Sequence, residues 1–484
     1  MKSAKYLVLS VSVMALASCA ALPVTDENLP ISDISENWST MVPSSTSASQ
    51  AVQDGWLSDL EMATLSSFVD EVLSHNLNYQ ATAHRLAAAG FNADISRGNL
   101  YPTLNASFGA RRQHTSNPGV TGNNLSLGFD ARWEADVWGR LSAKTKAAES
   151  DYQAARSDQE AARLSLAAQV TQTWFDVVEA QAQVTLAERT VESYTRAVRI
   201  VEKRFARGLS TGLDLRLIKS NMAASRASLS SREDQLSRQK RRLEIFAGRY
   251  PAAEIMAMGE IPDLKGDVPT GLPISLLERR PDLRAAKARL LSVGYSSQAA
   301  DKALLPEFSI TASGNNSSSN FTDLLKFDNI FWNLLGNISQ PIFQGGKLRY
   351  AAKASQELFE AEKQVFAQTL LIAFREVEDA LSSERWLKEQ VMYTGRAAMN
   401  AIAAEKVAID QYGRGLIKIS TLLESQRQSL SQQSQLLSVR KQLINNRIAL
   451  HLALGGDFET VKDVQKIIMN NSSIEADKNE GTIL

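Results

Sequence analysis

The 484-residue sequence is poor in the features that mark most chemistries. It has one cysteine, Cys19, so no disulfide can close within the chain. Its four histidines, His75, His84, His114 and His451, lack a metal-binding spacing such as HExxH. It has no Walker A phosphate loop. Lys plus Arg and Asp plus Glu balance at 53 each, so charge gives no argument for nucleic acid as a partner. Beyond the N-terminal apolar run, no helical stretch is apolar enough to span a membrane. Neither enzyme activity nor a cofactor nor a metal is expected.

Glycine and proline are also missing over long stretches, and there the chain declares its plan. From Gly346 to about Gln411 there is no proline, and after Gly346 the only glycine is Gly395. Phe359, Phe366, Ala373, Ala380 and Leu387 recur at sevens, the spacing of a helix seam that packs over many turns. Tyr412-Gly413-Arg414-Gly415-Leu416 supplies glycine where a helix must stop and reverse. A return arm follows, from about Ile419 to Leu454. The first half repeats the design. Gly139-Arg140-Leu141 matches Gly346-Lys347-Leu348, and Phe205-Ala206-Arg207-Gly208 matches Tyr412-Gly413-Arg414-Gly415, both at an offset of 207 residues. Ala147, Ala154, Ala161, Ala168, Phe175 and Ala182 form the first copy's seam. A long arm of roughly 65 residues spans on the order of 100 Å. The chain reads as a duplicated helical-hairpin protein.

The N-terminus indicates the compartment. Lys2 and Lys5 precede a short apolar run, Tyr6–Ala15, and then Leu16-Ala17-Ser18-Cys19. That is a secretory signal rather than a span, and its end looks like a bacterial lipobox, which implies cleavage before Cys19 and acylation there. Ala20, rather than Asp, follows, which implies sorting to the outer membrane. Residues 1–18 read as signal peptide, 19–55 as an extended acylated leader, 56–250 as the first repeat, 251–273 as a connector, 274–457 as the second repeat and 458–484 as a polar tail.

Two short helices, Trp56 to about Asn76 and Tyr79–Asn99, are expected to precede a change of period. Leu104, Ala106, Phe108 and Ala110 alternate with polar or small residues, and so do Leu125, Leu127, Phe129, Ala131 and Trp133. The predicted strands are about 103–112, 125–137, 307–314 and 331–343, with a loop containing Gly122-Asn123-Asn124 between the first two. Apolar on one side and polar on the other, the strands alone favour an antiparallel sheet packed on a soluble core; the lipoprotein-like signal turns the reading to a transmembrane β-barrel with a wet interior. Four strands cannot close a barrel, for which about eight is the smallest usual number, so oligomerisation is required. Three copies would give twelve strands. The fold class is therefore mainly α with a small β part.

The segment Leu277-Glu278-Arg279-Arg280-Pro281-Asp282-Leu283-Arg284-Ala285-Ala286 resembles the signature of the TolC-like outer-membrane factors, in particular their lipoprotein branch, the OprM/NodT type. Asp136-Val137-Trp138-Gly139, Gln340 to Gly346 and Gly208 to Leu215 match as well, and the likeness covers about Trp56 to Leu454. The resemblance implies a homotrimeric tube with a 12-stranded barrel in the outer-membrane lipid and an α-barrel crossing the periplasm. It implies a passive exit duct docked on a periplasmic adaptor (a membrane fusion protein) and an inner-membrane pump of the RND type, exporting small toxic molecules. A protein-secretion duct and a non-channel structural lipoprotein are the alternatives. It also implies gate candidates at the periplasmic mouth: Tyr412, Arg414, Glu424 and Asp214, with Thr421 standing where some members have a second acid. The turns at Gly208 and Gly415 would touch the adaptor. Arg279, Arg280, Pro281 and Asp282 are expected to be structural, capping a helix that begins at Pro281. Gly455-Gly456-Asp457-Phe458-Glu459 is similar to a diguanylate cyclase box with its last letters transposed, but it reads as a helix C-cap and tail.

Overall fold

The computed structural model describes residues 38–39, 54–57, 60, 62–116, 119–257, 259–264, 266, 268, 270, 273–326 and 330–458. The signal, Cys19, most of the leader and residues 459–484 lie outside the described residues. The described elements are α1 (Ala63–His75), α2 (Leu77–Gly98), β1 (Thr103–Ser116), β2 (Gly119–Ala135), α3 (Arg140–Ala206), α4 (Gly212–Phe246), α5 (Leu276–Arg279), α6 (Pro281–Lys302), β3 (Glu307–Ser318), α7 (Phe321–Leu324), β4 (Phe331–Ser339), α8 (Lys347–Gly413) and α9 (Ile419–Ala453).

The duplication holds for every long helix and every strand; α7, between β3 and β4, has no counterpart between β1 and β2 among the described residues. Helices α3 and α8 each have 67 residues, and α4 and α9 each have 35. At 1.5 Å per residue the long pair spans about 100 Å and the return pair about 50 Å. The remaining length is covered by α2 and α6, of 22 residues each. Each long helix therefore runs beside a companion broken in two. The C-terminus of α4 abuts the N-terminus of α2, where Asn76 Nδ2 donates to the Phe246 carbonyl at 2.9 Å. The C-terminus of α9 abuts α6, where Arg280 Nη1 donates to the Ala453 carbonyl at 3.2 Å.

Two glycines make these junctions possible. Gly248 (φ 69°) and Gly455 (φ 68°) end α4 and α9 in the left-handed conformation that a side chain resists. A Cβ on Gly248 would lie 2.8 Å from the His75 carbonyl oxygen, and one on Gly455 would lie 2.9 Å from the Arg279 carbonyl carbon.

In the half nearer the sheet, α6 lies between α3 and α8; in the half nearer the turns, α9 takes that place. Helices α2 and α4 pack on α3 alone among the long elements, so they form one edge of the slab and α8 forms the other. The expected seam of α8 is buried at Phe366, Ala373 and Ala380, and that of α3 at Ala147, Ala154, Ala168 and Phe175. A second stripe on α8, again at multiples of seven, faces outward: Leu358, Val365, Trp386, Tyr393 and Val407 are all more than half exposed.

The main core sits where the helix segments meet end to end. Leu65, Phe68, Val69 and Val72 of α1 pack on Leu164–Val178 of α3, with Leu243, Ile444, Ile448 and Phe458. Phe458 is therefore core rather than the start of a polar tail: it packs on Trp56 and under the Arg163 guanidinium, and Asp457 pairs with Arg163 at 3.1 Å. Of the leader, Trp38 is buried against Phe374 of α8, and Ser39 donates to Glu378.

The strands form one antiparallel sheet in the order β1-β2-β3-β4. The β1–β2 hairpin is longer than the sequence pattern suggests. Gly122, Asn123 and Asn124 are paired in β2, opposite Gln113, Arg112 and Arg111, rather than forming a loop. Polar residues on both faces obscured this stretch, because alternation vanishes where neither face is buried. β4 ends at Ser339, earlier than expected.

Candidate functional site

Function in this chain belongs to its two ends and to the junction that holds them in line. At the sheet end the register aligns like with like across all four strands. Leu104, Ala131, Ala312 and Leu334 lie side by side, as do Ala106, Phe129, Gly314 and Trp332. On the opposite face the row is Asn105, Asp130, Ser313 and Asn333, with Asn105 Nδ2 donating to Asp130 at 3.1 Å. One continuous apolar face and one polar face suit a wall with lipid on one side and water on the other. The outer edges of β1 and β4 have no partner strand among the described residues. No helix among the described residues is long and apolar enough to cross a membrane. Trp138, at the passage from sheet to α3, donates from Nε1 to the Pro306 carbonyl at 2.8 Å and packs on Phe308. It ties the two repeats together where strands become helices.

At the far end, α3–α4 and α8–α9 turn within a few residues. Both turns close alike: the Leu209 amide donates to the Arg204 carbonyl, and the Leu416 amide to the Gln411 carbonyl, each at 2.9 Å. Gly208 (φ 73°) and Gly415 (φ 81°) sit at the left-handed positions, so their first role is to make the turn. The first turn, Gly208-Leu209-Ser210-Thr211-Gly212, spells the GxSxG of a nucleophile elbow. It joins two helices instead of a strand and a helix, and the Ser210 hydroxyl donates to Asp214 at 2.9 Å, so no nucleophile is presented.

The four gate candidates lie within this region but differ in kind. Asp214 completes a capping box: it accepts from the Thr211 amide at 3.0 Å while Thr211 Oγ1 accepts from the Asp214 amide at 3.2 Å. The bond from the Thr211 amide, followed by those of the Ser210 and Thr211 hydroxyls and the nearby Arg204 charge, holds its carboxyl below the usual range despite some desolvation. Its position in the first repeat corresponds to Thr421 in the second, where Lys418 provides no side-chain cap. Asp214 is therefore accounted for by helix capping.

Tyr412 is not free at a mouth. It is buried with Tyr194, Val201, Ile218, Ile419 and Leu422, and its hydroxyl meets no hydrogen-bond partner among the described residues. The Arg204 guanidinium lies over its ring at 5.3 Å and donates to the carbonyls of Leu209, at 3.1 Å, and Gly413, at 3.4 Å. Arg204, which the sequence pattern did not single out, thus bridges both turns.

Arg414 and Glu424 are exposed. Arg414 pairs with Asp410 at 3.0 Å, and Glu424 pairs with Arg427. Glu424 and Arg427 flank a groove between α8 and α9 floored by Ala401, Ala404, Ser420 and Ser425.

Above the turns a polar zip joins α3 to α8 and α9. Ser193 donates to Glu405 at 2.8 Å and accepts from Gln426 at 3.0 Å; Gln183 and Ser434 exchange two bonds; Asp176 pairs with Lys441 at 3.0 Å.

At the junction, Arg280 does more than cap a helix. α6 begins at Pro281 as expected, but the buried Arg280 guanidinium grips Asp282 with two bonds (2.8 and 3.1 Å), Glu376 of α8 (2.7 Å) and the last carbonyl of α9. Those two carboxylates hold its charge on, against the desolvation it suffers. Arg279 instead reaches Asp54 at 2.7 Å. A second buried pair, Arg447 with Glu384, links α9 to α8. No cluster of His, Cys, Asp and Glu among the described residues could hold a metal ion.

Sheet and helices together define a class of protein: a wall segment with strands suited to a membrane and a long helical body continuing beyond them. The chain belongs to the outer membrane efflux protein family, whose sequence model matches residues 68–249 and 272–456. It is similar to the toluene efflux pump outer membrane protein TtgF of Pseudomonas putida, at 26% identity over 94% of this chain and 97% of that protein. It is likewise similar to the cation efflux system protein CusC of Escherichia coli, at 25% identity over 92% of this chain and 97% of that protein. In fold it matches the CmeC outer membrane channel of Campylobacter jejuni, with a TM-score of 0.85 at 22% identity, covering 94% of this chain and 98% of that one.

Proposed function

We propose that three copies of this chain close into one passive duct, a twelve-stranded barrel continued by a helical tube, that exports small toxic molecules for a tripartite efflux pump. The observation that carries this is the sheet: four strands with one apolar face, both edges open, standing on helices about 100 Å long. Three such sheets supply enough strands to enclose a channel rather than a packed interior. The relatives' names, which speak of toluene and of cations, support a small-molecule cargo. A periplasmic adaptor would seat on the turns at Gly208 and Gly415, with an inner-membrane pump of the RND type behind it. Acylation of Cys19 would tether the leader to the membrane.

In this duct the threefold axis brings Glu424 carboxylates together at the periplasmic mouth. Like charges so gathered repel; the Arg427 paired with each Glu424 offsets part of this, and the balance sets cation preference and the ease of opening. Tyr412 and Arg204 act inside each copy, keeping the two turns in register. The test is conductance in planar bilayers. Wild type should give small, cation-selective steps, and Glu424→Ala should lower that selectivity and change step size. Silence from both proteins would remove the duct reading.

A further inference from the structure

We propose that α7 and Leu325, between β3 and β4, form a lipid-contacting collar on the outside of the barrel: α7, pinned to the apolar sheet face by Asn316, sets Phe321 and Leu325 into the rim of the bilayer rather than into the medium. The inference rests on the apolar face being the lipid face, and it adds a contact that barrel closure does not require.

The pattern of β3 points to it. Phe308, Ile310, Ala312 and Gly314 share one face, and the next residue on that face is Asn316, opposite Leu127 of β2. A carboxamide there would face hydrocarbon, where an unsatisfied polar group is strongly disfavoured. Yet Asn316 is only 4% exposed. Its Nδ2 lies 2.8, 3.1 and 3.2 Å from the carbonyl oxygens of Leu324, Lys326 and Asp323. The same atoms solve a second problem, since the last carbonyls of a helix have no partner of their own. Were α7 to project into water, those carbonyls would be hydrated and no peg would be needed. Because Asn316 and Leu127 are paired, α7 packs over β2 and β3 on the face that also carries Phe129 and Trp133.

The level follows from the register. The apolar face ends at Ala110, opposite Leu125, which in turn lies opposite Ser318. Beyond it the β1–β2 ribbon continues past the end of β3 with Arg111, Arg112, Gln113 and His114 facing Asn124, Asn123, Gly122 and Thr121. Arg112 follows Ala110 on the same face, at the height of lipid phosphates. Asn316 is one pair below that boundary, so α7 straddles the passage from acyl chains to headgroups. Its own side chains divide to match. Leu324 is buried beneath it, Phe321 and Leu325 are more than half exposed, and Asp323 pairs with Lys326 at 2.8 Å. Exposed apolar groups beside an ion pair suit an interface better than bulk water.

The test places a fluorescent amino acid singly at Leu325, Phe129 or Thr121 of the full chain reconstituted in liposomes. Quenching by phospholipid brominated on the upper acyl chain is compared with quenching by aqueous iodide. The probe at Leu325 should lose emission to brominated lipid and resist iodide, and Asn316→Ala should reverse that preference. The probe at Phe129 should respond to lipid and that at Thr121 to iodide. If Leu325 behaves like Thr121 while Phe129 still senses lipid, the collar is wrong and the barrel orientation stands. If Phe129 also senses only iodide, both fail.

Discussion

Acid should loosen the junction through one imidazole. His451 closes the last turn of α9, buried, with its ring stacked on Trp56 at a centroid distance of 6.1 Å and its Nδ1 without a partner among the described residues. Arg447 lies one turn earlier on the same helix. Burial first, and then the Arg447 charge, depress its pKa from 6.5 to about 4. Because the folded value is the lower one, the opened state binds the proton more readily. The full stability is present above pH 6.5, declines as pH falls through the window down to about 4, and levels off below that, where the folded state is protonated too. The gap corresponds to about 3 kcal/mol at most, roughly tenfold in the opening constant for each pH step inside the window. Hydrogen exchange on peptides covering residues 444–456, corrected for intrinsic rates, reads that opening directly. Protection there should collapse between pH 6.5 and 4.5 while peptides near the turns change less. His451→Phe retains a ring against Trp56 and cannot be protonated, so its protection should be nearly independent of pH. An equally steep loss in the variant would show that the imidazole is not the cause.

Two further changes test the same junction from other sides. Arg280→Ala removes four donated bonds and leaves Asp282 beside Glu376 without their cation, at a cost of about 2–3 kcal/mol, tempered by the partial exposure of both carboxylates. Arg280→Lys should recover only part of this, since an ammonium cannot reproduce the fork; denaturant midpoints of the two variants against wild type will tell. Gly455→Ala combines a left-handed backbone with a Cβ 2.9 Å from the Arg279 carbonyl carbon, and should cost on the order of 2–3 kcal/mol. Gly208→Ala, with the same backbone conformation but open space around it, should cost only about 1 kcal/mol, and equal losses in thermal melts would refute the role given to the contact.

The duplication was legible because each repeat marks its ends with the same residues. Glycines at 139, 208 and 248 recur at 346, 415 and 455, and heptad seams run from Ala147 to Ala182 and from Phe359 to Leu387. Local chemistry sufficed there, since a helix end and a packing stripe are both written within a few turns of chain. What was hidden depends on partners far away in sequence. Nothing near Arg280 reveals that Glu376 and the end of α9 will meet it, and Gln183 declares Ser434 only once α3 and α9 lie side by side. Tyr412 looked like an isolated gate residue because its cover comes from the other repeat, through Tyr194, Val201 and Arg204. Phe458 looked like tail for the same reason: its neighbours, Trp56 and Arg163, lie about 300 residues or more away.

One chain cannot be the finished object, and its own surfaces say how it is completed. A sheet edge with unpaired amides and carbonyls is intolerable within lipid, and this sheet has two. The strands alternate in direction, so β4 of one copy can pair antiparallel with β1 of the next and leave no edge when the ring closes. The helices repeat the logic. One edge of the slab is α8, whose outward stripe of Leu358, Val365, Trp386, Tyr393 and Val407 keeps a seven-residue spacing that solvent would never require. The other edge is α2 stacked on α4, with Leu77, Phe91, Ile95, Leu213 and Ile245 exposed. In both layers one open edge belongs to the first repeat (β1, and α2 on α4) and the other to the second (β4, and α8), so one rotation satisfies strands and helices together. A substitution that spoils the α8 stripe would therefore also unseat the barrel, although the two lie in different layers of the molecule.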